Sequence, residues 1–185
     1  MTYTLNVAGL TRQLPICKVS DTLSIAGFVI FGDVELTCQC ARALLEKAPE
    51  YDYMVAPEAK AIPLIHEMAK QAGRNDYFLV RKKAKAYMHN VFKVEDHSIT
   101  TEGTQYLYMD GDDAAKMKGK RVIIIDDVIS TGGSIAAVEE LVREAGGIVV
   151  GRMAVLAEGD AAQRGDIIFL ERLPLFDGEG NEIKA

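Results

Sequence analysis

The chain has 185 residues, enough for one domain with a full hydrophobic core and a small appended lobe. It is 49% hydrophobic and 26% charged, an ordinary globular composition. The net charge of −6 argues against broad electrostatic attraction to nucleic acid or anionic lipid, so any bound phosphate is expected in a local site.

The N-terminus lacks a basic region followed by an apolar one, and no apolar run reaches the roughly 18 residues of a membrane span. Cys17, Cys38 and Cys40 form no disulfide framework, which points to a reducing cytoplasm. Cys38 and Cys40 are expected as core filling, since no second pair completes a zinc site.

The first thirty residues alternate short β-like pieces, Tyr3 to Val7, Leu14 to Val19 and Ile25 to Ile30, broken by Gly9, Pro15 and Gly27. After Gly32-Asp33 a stripe of Val34, Cys38, Ala41, Leu44, Leu45 and Ala48 predicts a helix, with Pro49 beyond its end. Tyr53 to Ala56 is a short strand. Ala61 to Ala72 is a helix with Ile62, Ile65, Met68, Ala69 and Ala72 facing inward and Gly73 as its stop. Tyr77 to Val80 is the next strand. Residues 82–104 are polar and are expected as a long loop with room for a strand piece. Tyr106 to Met109 and Arg121 to Ile125 read as strands, Ser134 to Ala145 as a helix closed by Gly146-Gly147, and Ile148 to Leu156 as a strand. Apolar strands separated by helices predict an α/β fold, with a mostly parallel twisted sheet flanked by helices. Ligands in such sheets bind beyond the carboxyl ends of the strands.

One of those ends reads VIIIDDVISTGGS, residues 122–134. Asp126 and Asp127 are expected to emerge where the strand stops at Ile125. Ser130, Thr131, Gly132, Gly133 and Ser134 then enter a helix whose unpaired N–H groups and glycine turn suit an anion. Neither G-x-x-x-x-G-K-[ST] nor G-x-G-x-x-G is present. Two carboxylates beside a phosphate site need a different target, and the vicinal hydroxyls of a ribose would provide it.

This stretch resembles the phosphoribosyl-pyrophosphate signature of type I phosphoribosyltransferases. The resemblance implies that Asp126 and Asp127 contact the ribose diol and that residues 130–134 grip its terminal phosphate. Val55 to Pro63 lies where the family places its pyrophosphate loop, with Glu58, Ala59, Lys60 and Ala61 as candidates. The loop carries no glycine, so the family's strained peptide would have to form without one. Phe78 to Lys85 is similar to the basic segment of the adenine-type enzymes, which places Arg81, Lys82, Lys83 and Lys85 against pyrophosphate. Four cations in five positions of an acidic chain also call for an anion on charge grounds.

Residues 86–105 would be the mobile catalytic loop. Glu102 is its candidate general acid or base, although alignment on Gly103 puts the family's glutamate at Thr101. His89 and His97 are candidates for titration near neutrality. Asp126, Asp127, Lys85 and Glu102 make up the expected catalytic set. Phe28, Val29 and Ile30 are the candidate base pocket.

By the same resemblance, residues 1–33 form an N-terminal hood, 34–157 the core, and 158–185 a C-terminal segment that can add to the hood. The implied reaction is magnesium-dependent transfer from phosphoribosyl pyrophosphate to a purine, adenine first, with xanthine, hypoxanthine and orotate as alternatives. A non-catalytic sensor of phosphoribosyl pyrophosphate is the competing class. Magnesium would be carried mainly by the cosubstrate, with no protein metal site. A cytoplasmic homodimer with no nucleic-acid or membrane partner is expected.

Overall fold

The computed structural model of the protein describes residues 1–96 and 105–183. It opens with a hairpin of β1 (Thr2–Val7) and β2 (Leu10–Lys18). Ala8 and Gly9 turn it with φ of 51° and 78°, the left-handed pair that a two-residue hairpin loop requires. Alternation along these strands turns Leu5, Val7 and Leu14 inward. β3 (Ser24–Ala26) continues the sheet and is shorter than the expected Ile25 to Ile30 strand. The Gly27 amide donates to the Pro15 carbonyl at 2.8 Å, and the chain then leaves the ladder.

The rest alternates. In chain order come α1 (Val34–Lys47), β4 (Tyr53–Pro57), α2 (Ile62–Gln71) and β5 (Phe78–Val80), then a hairpin of β6 (Phe92–Asp96) and β7 (Gln105–Met109). After α3 (Gly111–Met117) follow β8 (Arg121–Ile129), α4 (Gly133–Glu144), β9 (Ile148–Glu158), a 3-10 turn (Gly159–Gln163), β10 (Ile168–Leu173) and β11 (Leu175–Phe176). Strands β10-β9-β8-β4-β5 form a parallel sheet in that order. β11 pairs with β3, so a four-stranded antiparallel sheet, β1-β2-β3-β11, draws on both ends of the chain. The architecture is the expected one: a parallel sheet flanked by helices, with an extra antiparallel sheet that fits a hood.

The two faces of the central sheet follow from the two-residue period of its strands. Met54, Ala56, Ile123, Ile125, Met153 and Val155 pack toward α1, α2 and the antiparallel sheet. Val55, Val122, Ile124 and Ala154 pack toward α3, α4 and the β6–β7 hairpin. Being buried on both sides, these strands have to be apolar at every position. Arg121 ties the entry of β8 to that of β4, donating to Asp52 from its guanidinium at 2.9 and 3.2 Å and from its amide at 2.8 Å.

Several expectations change. The buried face of α1 is Leu36, Thr37, Cys40, Ala41 and Leu44, while Val34 is 73% exposed. Val34 stands in the first turn beside the cap, where Asp33 accepts from the Leu36 amide at 3.0 Å and also binds Arg12. Cys40 fills the core and Cys38 is half-buried. α3 was not expected, because seven residues that bury only Ala114 and Met117 leave no readable period. β8 does not stop at Ile125. Asp126 pairs in register with Ala154, Val128 with Leu156 and Ile129 with Ala157, so both aspartates lie inside the strand. The ladder extends because β9 also runs on, to Glu158.

Candidate functional site

The carboxyl end of the central sheet opens into a cavity of about 460 Å³. Asp126 and Asp127 line it side by side. Asp127 is 2% exposed, and its amide donates to Asp126 Oδ1 at 2.9 Å. Asp126 is half-buried. Burial, and then the neighbouring charge of Asp127, push the Asp126 carboxyl well above the usual carboxylate range. One oxygen of Asp127, Oδ2, is buried without a hydrogen bond. Lys60 Nζ lies 3.1 Å from it as an ion pair that lacks hydrogen-bond alignment.

Beyond β8 the chain turns through Gly132, whose φ of 85° places it in the left-handed region, and enters α4. No side chain caps this helix, so the amides of its first turn are free of helical partners and point outward. Ser130 and Ser134 line the cavity, Thr131 is exposed, and Gly132 and Gly133 carry the backbone between them. A Cβ at Gly132 would run into the Arg164 guanidinium, which lies against the loop while its Nε and Nη2 donate to Asp166.

Pro57 at the end of β4 and Glu58, Ala59 and Lys60 of the loop after it join the lining, and the Glu58–Ala59 peptide bond is cis. Ala61 is not in the lining. It is buried at the start of α2. The Glu58 carboxylate faces the basic segment, accepting from the Lys82 amide at 2.8 Å and lying 3.2 Å from Arg81 Nε. Arg81 is thereby held at the end of β5, where its amide and carbonyl bridge to Tyr108. Of the four expected cations Lys82 alone lines the cavity. Lys83 is exposed, Lys85 is half-buried outside the lining, and Arg81 is committed to Glu58.

β3 and the two residues after it contribute Ile25, Ala26, Gly27 and Phe28. Of the candidate base pocket, Phe28 reaches the cavity. Val29 is 58% exposed and Ile30 is fully buried in the core, since alternation turns the residues after Phe28 outward and then inward. His89 is exposed. Glu102, His97 and the rest of residues 97–104 lie outside the described residues.

Besides chain neighbours of the candidates (Ile25, Ala26, Gly27, Pro57 and Val128), the lining takes in Leu107 from β7, Glu158 at the end of β9 and Leu173 at the end of β10, which were not anticipated. Glu158 had a signal. It is an acid that follows an apolar run, as Asp126 does, but the strand was expected to finish at Leu156. Burial raises the Glu158 carboxyl above its usual range, with Lys60 opposing.

A phosphoribosyl transferase domain model matches residues 37–170. The adenine phosphoribosyltransferase of Thermotoga petrophila is 38% identical over 109 residues, 59% of this chain and 60% of that protein. The orotate phosphoribosyltransferase of Methanopyrus kandleri is 31% identical over 121 residues, 65% of this chain and 55% of that one. The chain thus spans 60% and 55% of the length of these two curated relatives. The crystal structure of adenine phosphoribosyltransferase from Thermoanaerobacter pseudethanolicus matches with a TM-score of 0.66 at 27% identity, covering 77% of this chain and 84% of that one. The matched stretch contains the aspartate pair, the loops that follow β4 and β8, and most of the sheet that carries them: the chain belongs to the phosphoribosyl transferase domain family, and it resembles the adenine members in sequence and in fold.

Proposed function

We propose that the protein transfers the phosphoribosyl group of phosphoribosyl pyrophosphate to a ring nitrogen of a purine base, adenine first, releasing a nucleoside monophosphate and pyrophosphate. One observation carries this reading. The aspartate pair, the uncapped start of α4 and the 57–60 loop, which come from two separate strand ends, converge on a single cavity. Asp126 and Asp127 take the ribose hydroxyls, Ser130, Ser134 and the first amides of α4 take the ribose phosphate, and Ala59, Lys60 and Lys82 take the diphosphate. The protein does no covalent work. It holds sugar and base in line and places donors where charge develops on the departing diphosphate.

Magnesium fits this donor set. Hard cations seek oxygen, and Asp127 Oδ2 is a buried oxygen with no hydrogen bond. Among the described residues no three acidic, histidine or cysteine side chains cluster at metal-binding range, so the ion would share the aspartates with oxygens of the cosubstrate. When bound, it neutralises diphosphate charge. A cytoplasmic homodimer belongs to the same proposal, and sedimentation of a concentration-independent monomer would count against the dimer.

The deciding assay is magnesium-dependent pyrophosphate release with adenine, hypoxanthine, xanthine, guanine, orotate and uracil in turn. Turnover of a purine supports the reading, and turnover of orotate alone replaces it with the pyrimidine reaction. Tight binding of phosphoribosyl pyrophosphate without release on any base makes the protein a sensor. In a calorimetric titration, Asp126→Asn with Asp127→Asn is expected to weaken cosubstrate binding by at least about tenfold, one charge-assisted hydrogen bond, while the protein stays folded. Undiminished affinity would refute the ribose-diol role.

A further inference from the structure

Glu158 stands where the central sheet meets the hood. It ends β9 in register with Leu173, which ends β10, and both line the cavity. Two residues past Leu173, Leu175 pairs with Ile25 of the hood sheet. A Cβ at Gly159 would meet Leu175 Cδ1 at 2.8 Å, so the hood sits tightly on the residue that follows Glu158. The hood and the ends of β9 and β10 bring Ile25, Ala26, Phe28 and Leu173 to the cavity as apolar side chains, and Glu158 as the polar one among the described residues. Its carboxyl has no hydrogen-bond or ion-pair partner among those residues. Lys60 acts on it only as a more distant charge.

A half-buried carboxyl facing a cavity beside apolar side chains needs a hydrogen-bond donor, because leaving it unmatched once a ligand has displaced water is costly. A diphosphate does not provide one and would meet it as a like charge. The flat ring that packs against Phe28, Ile25 and Leu173 does, if it carries an amino group. We propose that Glu158 is the side chain that reads the base: its carboxyl accepts a hydrogen bond from the exocyclic amino group of an aminopurine and thereby selects amino over oxo at that position. The inference rests on the transferase reading above and names the base class for it. An oxo substituent would set acceptor against acceptor, and a carboxylated pyrimidine would add charge repulsion, both of which act as rejection. Only the ionised carboxylate is acceptor-only; protonated Glu158 can also donate to an oxo group, so the discrimination is expected to weaken as pH falls through its raised titration range.

The test compares wild type, Glu158→Gln and Glu158→Leu with adenine and hypoxanthine at saturating phosphoribosyl pyrophosphate and magnesium. It is paired with calorimetric binding of each base and of the cosubstrate. The glutamine can donate as well as accept, so the adenine-to-hypoxanthine ratio of kcat/KM is expected to fall roughly ten- to a hundredfold, the weight of one hydrogen bond to a charged group. The change should appear in the KM of the base, with cosubstrate affinity kept. The leucine variant should lose adenine preference without gaining hypoxanthine. A base ratio unchanged in Glu158→Gln overturns the proposal. Failure of the wild type to turn over any purine overturns the transferase reading instead. In that event the binding ratios still decide Glu158, and equal adenine-to-hypoxanthine affinity ratios in wild type and variant reject its role.

Discussion

Asp126 carries a carboxyl that burial and Asp127 push toward the protonated form. An acid whose folded pKa is raised binds more protons folded than unfolded, so it costs stability as pH rises from about 4 through that raised value. Asp126→Asn alone is therefore expected to raise Tm at pH 7, with the gain shrinking toward pH 4, while cosubstrate affinity falls. A pH series of thermal melts checks it, and a gain that grew on acidification would contradict it. Gly132 poses a different demand. Its φ of 85° strains any side chain, and a Cβ there would displace the tip of the Arg164 guanidinium. Gly132→Ala should cost roughly 1–2 kcal/mol for the left-handed backbone alone, read by urea denaturation, and should weaken phosphate binding through displacement of the loop. At this scale the sequence was readable where chemistry is local: Asp126, Asp127 and Ser134 announce themselves by type and spacing. It was not readable where a side chain's direction depends on a distant partner. Arg81 turns to Glu58, 23 positions earlier, and Glu158 becomes a cavity residue only because β9 outruns its apolar core.

Elements were legible in proportion to their length and burial. β4, β8 and β9, apolar on both faces, and the amphipathic α2 and α4 lie close to where periodicity puts them. α3 and the two-residue β11 are too short to show a period, and β11 takes its place in the sheet by pairing with β3, distant in sequence. α1 is held by a cap that ties it to β2, since Asp33 accepts from the Leu36 amide while Arg12 of β2 binds both Asp33 and Glu35. Asp33→Ala should cost about 1 kcal/mol as a lost N-cap. The Arg12 guanidinium holds the Asp33 carboxyl below its usual range, so this contribution is present above pH 4 and fades as pH falls below it. Leu44, fully buried on the same helix, sets the larger scale. Leu44→Ala should cost about 2–5 kcal/mol by leaving a cavity. Equal losses for the two variants in a denaturation series would mean that α1 is not anchored by its core face.

For the molecule as a whole, two sets of carboxyls act in opposite directions. Asp33, Asp52 and Asp166 are held low by arginine partners, Asp166 at about 2, so their stabilisation is complete above pH 4 and is lost as pH falls through the lowered values. Asp113, Asp126 and Glu158 are held high by burial, and they favour the folded state as pH falls from neutrality toward 4. Thermal stability should therefore peak on the acidic side of neutrality and collapse below pH 4. A maximum above pH 8 would refute this balance.

The antiparallel sheet has a consequence of another kind. Its strands come from residues 2–26 and 175–176, all outside the stretch 37–170 that the domain family shares. Under the proposed reading, the sugar-phosphate site lies in the shared middle of the chain, while the base meets a wall built from both parts: Glu158 from the middle, and Ile25, Ala26, Phe28 and Leu173 from the two ends. Because Leu5, Val7, Leu14 and Phe176 of those ends pack into one core with Leu36, Leu64 and Ile123, any change made there to suit another base acts on the stability of the whole domain as well. The relatives named for adenine and for orotate each match over only part of their own length, 60% and 55%, as a shared core with differing remainders allows.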